Sequence, residues 1–119
     1  MDALFAWQRV RVLGNSMTPT LLAGDWLLVR HGAPVRPGAI VLARFRSRPD
    51  LAVIKRAIAE SDGGWLLGSD NPGAGSDSRQ YGPAEVHAVA IWHWGTGAGL
   101  PRGWRARWLG RRPGAAPPE

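Results

Sequence analysis

The sequence predicts an all-β domain of short, strongly bent antiparallel strands. Three observations carry that expectation. Sixteen glycines and ten prolines among 119 residues interrupt the chain too often for a helical bundle. Apolar and polar residues alternate over short runs, with the two-residue period of a strand that buries one face. Asp62-Gly63-Gly64 stands between two apolar runs, where a hairpin turn is expected.

Taken in order, Gln8 to Leu13 is the first strand, with Arg9, Val10, Arg11 and Val12 alternating. Gly14-Asn15-Ser16-Met17-Thr18-Pro19-Thr20-Leu21 breaks the alternation. Gly14 permits unusual backbone angles and Pro19 bars regular ladder bonding, so a tight turn with one helical turn near Pro19 is expected. Gly24-Asp25 leads into Trp26-Leu27-Leu28-Val29-Arg30, the second strand. Gly32 to Gly38 holds two prolines and reads as a loop, Ala39 to Phe45 as the third strand, and Arg46 to Asp50 as a turn. Leu51 to Ala59 fits a strand or a short helix. The turn signal after it and the apolar Trp65-Leu66-Leu67 favour the strand. Ser69 to Pro83 is polar, glycine-rich and long for a connection, as functional loops are. Val86 to Trp94 is the last strand.

The length fits one domain, here residues 1–94, followed by a tail over 95–119 rich in Arg, Trp and Pro. The formal charge of +6 is unevenly placed. Residues 1–94 carry ten basic and eight acidic side chains, whereas the tail sets five arginines against Glu119 alone. The tail reads as a solvated, flexible end. Alternatively Trp104, Trp108 and Leu109 share a helical face opposite arginines, a pattern suited to peripheral contact with a membrane surface or to single-stranded nucleic acid. No stable nucleic-acid partner is expected for the domain itself. The absence of cysteine excludes disulfides, thiolate catalysis and cysteine-ligated metal. His31, His87 and His93 show no ligand spacing, and His87 and His93 read as strand decoration; neither metal nor cofactor is expected. No run reaches the roughly 18 apolar residues of a membrane-spanning helix. The N-terminus lacks the pattern of a secretory signal, so a soluble, cytoplasmic protein is expected.

Lys55 is the only lysine, and the other fourteen cations are arginines. Arginine does not release its proton in a protein, whereas a desolvated lysine does. On a strand, Leu51, Val53, Lys55, Ala57 and Ala59 share one face, an apolar row holding one amine. Burial there disfavours the ammonium and prepares the amine to take a proton from a serine hydroxyl. The plainer alternative is a lysine that snorkels to water from a strand edge. Ser16 is one serine of six. Its place beside Gly14, in a turn after a strand, exposes the hydroxyl and brings backbone N–H groups near a reacting carbonyl. Local chemistry alone does not single it out.

A resemblance joins the two. Gly14-Asn15-Ser16-Met17-Thr18-Pro19-Thr20-Leu21, with Gly24-Asp25-Trp26-Leu27-Leu28-Val29 after it, resembles the nucleophile motif of signal peptidase I. Val53-Ile54-Lys55-Arg56-Ala57 resembles the lysine motif of that family. Gly68-Ser69-Asp70-Asn71 and Ser76-Asp77-Ser78-Arg79-Gln80-Tyr81-Gly82-Pro83 resemble its third signature. The motifs occur in the family's order and span about residues 10–92. The resemblance implies a small signal-peptidase-like catalytic domain in which Ser16 attacks the scissile carbonyl and Lys55 is the base. Met17 and Pro19 would shape the turn, and Asp70, Asp77 and Arg79 would hold the catalytic loop, with contact between Asp77 and Arg79. Some members use a serine hydroxyl two positions before the nucleophile as an oxyanion donor. That position is Gly14 here, which leaves backbone N–H groups. The family serine that orients the lysine falls, by equal spacing, on Gly75, with Ser76 one place later as its substitute.

Arg36-Pro37-Gly38, Arg48-Pro49-Asp50-Leu51, Gly64-Trp65-Leu66-Leu67-Gly68 and Ser69-Asp70-Asn71-Pro72 are similar to the maturation proteases of nickel-type superoxide dismutase. That likeness implies a precursor dismutase as substrate, from which an N-terminal leader is removed; the nickel belongs to the substrate. Three alternatives stand beside it. One is general processing of exported proteins. A second is a self-cleaving repressor domain with the same Ser–Lys pair, for which the short N-terminus leaves no DNA-binding domain or internal cleavage site. The third is a non-catalytic module that binds nucleic acid or a membrane surface through the basic tail.

Overall fold

The computed structural model describes residues 6–74 and 78–95, and the backbone of 105–108. The expected all-β architecture is present: seven strands of one antiparallel sheet and a single short helix among the described residues. In chain order these are β1 (Trp7–Arg11), β2 (Trp26–His31), β3 (Ile40–Phe45), β4 (Arg48–Ser61), β5 (Gly64–Gly68), α1 (Ser78–Tyr81), β6 (Ala84–Gly95) and β7 (Arg105–Trp108). The sheet order is β1-β2-β6-β3-β4-β5. β6 also meets β5 through Trp65 and Ala84, and β7 pairs with β6.

Alternation explains the strands. On β1, Arg9 and Arg11 lie outward with their guanidinium groups 5.6 and 5.2 Å from the Trp26 ring, while Val10 packs against the core. On β2, Leu27 and Val29 are buried while the alternate positions Trp26, Leu28 and Arg30 are only partly so. β4 is a strand throughout, which settles the choice between strand and helix for Leu51 to Ala59. The hairpin expected at Asp62-Gly63 is present, with φ of 53° and 78° at those residues, the paired left-handed angles such a turn demands. Register shifts between Leu28 and Val29, Leu42 and Ala43, Arg44 and Phe45, and Ala57 and Ala59 are the bulges that bend the strands.

Two buried clusters result. One gathers Val12, Met17, Leu21, Leu27, Val29, Ile40, Ala88 and Ala90 beneath β1, β2 and the turn between them. The other lies within β3, β4, β5 and β6, around Phe45, Val41, Leu67 and Val89, with the Tyr81 ring of α1 tilted against that of Phe45 at 5.1 Å between centroids. β5 reaches β6 closely enough that a Cβ at Gly64 would lie 2.5 Å from the Ala84 carbonyl oxygen, so only glycine fits there.

Residues 14–15 are bends and 16–20 consecutive turns around a cis Thr18–Pro19 bond. Thr18 N–H bonds to the Asn15 carbonyl and Leu21 N–H to the Met17 carbonyl four residues back, the bond of a single turn near Pro19. Two expectations are corrected. The one short helix is α1, within the stretch read as loop. Arg105–Trp108 of the basic tail is a strand on β6 and not part of a helical face; Trp104 and Leu109 lie outside the described residues.

Candidate active site

The turn that carries Ser16 is fixed at both ends. Val12 N–H donates to the Asp25 carbonyl and Gly24 N–H to the Val12 carbonyl, each at 2.8 Å, closing residues 12–25 into a loop over the core. Met17, 2% exposed, plugs that loop into the first cluster, and Pro19 is exposed at its rim. Asp25 is fully buried, and its Oδ2 accepts from Leu22 N–H at 2.9 Å and lies 2.7 Å from His93 Nε2 on β6. His93 is also fully buried, so from its place on β6 it tethers the turn to that central strand. Ser16 is half-buried at the apex, after Gly14 with φ of 74°.

Lys55 sits mid-way along β4 opposite Val41 of β3 and is 4% exposed. Its amine is thus enclosed, unlike that of a lysine that snorkels to water from a strand edge. Ser16 and Lys55 line one open cleft of about 230 Å³, together with Leu13, Gly14, Asn15, Phe45, Leu51, Val53 and Ala74. Leu51, Val53 and Lys55 thus share the face that strand alternation assigned to them. The bulge beyond Ala57 ends that row, and Ala59 is exposed.

The segment after β5 joins the two sides. Asp70 accepts from Thr20 Oγ1 at 2.5 Å and from Arg56 Nε and Nη2 at 3.1 and 2.5 Å, while Arg56 Nη1 donates to the Gly38 carbonyl. Burial pushes the Asp70 carboxyl up. The hydrogen bonds from Arg56 and Thr20 and the charge of Arg56 outweigh burial and hold it below the usual carboxylate range. Arg56 and Thr20 are thus the side-chain partners of Asp70 in the loop after β5. Asn71 was not singled out from the sequence, yet its N–H donates to the Ser16 carbonyl at 2.8 Å. Its side-chain amide donates to the Asn15 carbonyl at 3.1 Å and to Thr18 Oγ1 at 3.0 Å. Lys55 Nζ donates to Ser69 Oγ at 2.8 Å, a second contact the motif did not flag. Ser78 Oγ, on α1, accepts from Leu67 N–H at 2.7 Å and holds the far end of the loop to β5. Arg79 is exposed on α1; Gly75, Ser76 and Asp77 lie outside the described residues. Among the described residues no cluster of His, Cys, Asp or Glu could hold a metal ion, and no helix is long and apolar enough to cross a membrane.

An all-β domain that sets a turn serine and a buried amine on one cleft has the form of a serine peptidase of the S24 and signal-peptidase type. Residues 7–91 match the family described as Peptidase S24-like, and the chain belongs to that family. The comparison with curated proteins returned no match.

Proposed function

We propose that this chain is an endopeptidase that removes an N-terminal leader from a precursor protein, with Ser16 as nucleophile and Lys55 as general base. The observation that carries the proposal is that the only lysine of the chain is buried and lines the same cleft as Ser16. Ser16 Oγ attacks the scissile carbonyl while its proton passes to Lys55 Nζ. Backbone N–H groups of the turn receive the oxyanion, since Gly14 offers no hydroxyl. The tetrahedral intermediate expels the new amine, which takes the proton from Lys55 and leaves an acyl group on Ser16. Water then attacks that ester, Lys55 accepts its proton, and the carboxylate product departs as Ser16 regains its hydrogen. The apolar walls formed by Leu13, Phe45, Leu51 and Val53 suit a substrate with apolar side chains beside the scissile bond.

The substrate proposed is the precursor of a nickel-containing superoxide dismutase in the cytoplasm, supported by the short motifs around Pro37, Asp50, Trp65 and Pro72. Purified chain is incubated with that precursor, and product termini are read by mass spectrometry. The wild type is expected to yield one new N-terminus. Ser16→Ala should abolish cleavage, and Lys55→Met, which keeps the stem and removes the amine, should lower the rate by about 10²–10⁴-fold. Equal cleavage by Ser16→Ala would sink the assignment. Cleavage only of exported precursors would replace this substrate with the general-processing alternative.

A further inference from the structure

The motif alignment gives the task of orienting the lysine to position 75, a glycine, with Ser76 as its neighbour. Residues 75 and 76 lie outside the described residues, and among those described the geometry points to Ser69: we infer that it positions the Lys55 amine for proton transfer. This rests on the Ser16–Lys55 reading above and adds a residue to it.

Lys55 Nζ stands at the end of a four-carbon stem with several rotatable bonds, on the wall of an open cleft. A neutral amine offers two N–H donors and one lone pair, and only the lone pair can take a proton. Donation of one N–H to Ser69 Oγ at 2.8 Å fixes the nitrogen without consuming that lone pair. The hydroxyl is itself held firmly. Gly68 pairs with Arg56 in the β4–β5 ladder, so the next residue, Ser69, arrives beside Lys55. Asp70 is locked by Arg56 and Thr20, and Asn71 N–H binds the Ser16 carbonyl at 2.8 Å. Three successive residues therefore touch the amine, the residue beside it on β4, and the backbone of the candidate nucleophile. A displacement of about 1 Å at such a site can cost about 10²-fold in rate. A hydroxyl carried by this rigid segment prevents one.

The test uses the full chain and the leader-cleavage assay, with Ser69→Ala, Ser69→Cys and Ser69→Thr. The Ala and Cys variants are expected to lose about 10–100-fold in kcat with KM within about twofold of wild type, and Thr, which keeps the oxygen, to recover to within about fivefold. Because Lys55 is the only lysine, labelling with ¹³Cε-lysine yields one side-chain signal without assignment. Its relaxation should report a rigid Cε in the wild type and Thr variant and a mobile one in Ala and Cys. That readout stays unmoved if Ser69 merely supports the fold. Wild-type kcat in Ser69→Ala, or a Cε equally rigid in all four proteins, overturns the inference alone. Cleavage by neither wild type nor variants overturns the peptidase reading and takes this inference with it.

Discussion

Gly14 shows how one residue can set both the shape and the chemistry of a site. Its φ of 74° lies in the left-handed region, and nothing lies within 4 Å of where a Cβ would stand. The requirement at this position is therefore conformational and not steric. Gly14→Ala should cost about 1–2 kcal/mol in urea unfolding, the penalty for a Cβ at a left-handed angle, without disturbing the packing around it. A variant as stable as the wild type would show that the turn relaxes to another angle. The residue scale is also where the sequence was least explicit. Lys55 stood out because every other cation is an arginine, and its burial agrees with the apolar row around it. Ser69 and Asn71 did not stand out, since their partners lie across the sheet, 14 residues away for Ser69 and 53 or more for the Asn71 side chain. The pairing of Asp25 with His93 spans 68 residues, and alternation alone gives a strand residue its face but never its partner.

At the scale of elements, the loop after β5 works as a clamp between the Ser16 turn and β4, and Asp70 is its charged centre. Because its carboxyl is held below the usual range in the folded state, Asp70 contributes stability that is full above the unfolded value of about 3.9. That contribution is lost as pH falls through the lower, folded value. Asp70→Asn should therefore lower the unfolding free energy by about 1–3 kcal/mol at pH 7. The gap to wild type should begin to narrow only below about pH 4 and close once the pH has fallen through the lower, folded value, where both side chains are neutral. Urea titrations at the two pH values check this, and a gap independent of pH would assign the role of Asp70 to shape and not to charge. Strands that are apolar runs between turn signals were legible in advance: β2, β3, the β4–β5 hairpin and β6 all appear where those runs lie, with β4 and β6 starting a few residues early. α1 was not legible because four residues are too few to display a helical period. Residues 105–108 misled because tryptophans and arginines spaced three or four apart suit a helix as well as an edge strand.

At the scale of the molecule, β6 is the organising strand. It pairs with β2 over residues 88–94, with β3 over 84–89, with β5 at Ala84 and with β7 over 92–95. Its buried residues supply both clusters: Ala88 and Ala90 to one, Ala84 and Val89 to the other. Amides flanked by strands on both sides open only with the whole fold. Native-state hydrogen exchange should therefore find its slowest amides between Val86 and His93, and those of the edge strand β1 should exchange sooner. Slower exchange in β1 than in β6 would contradict this hierarchy.

The position of β6 in the sheet differs from its position in the chain, and this bears on how the protein is made. β1, β2 and the turn bearing Ser16 leave the ribosome first, followed by β3, β4 and β5 with Lys55. Among the described strands, only β6 pairs with both groups, and it is translated after them. A nascent chain halted before Ala84 holds both walls of the cleft without the strand that unites them. The cleft is thereby completed only once β6 has been translated, since a chain that ends before it lacks the ladders to β2 and β3.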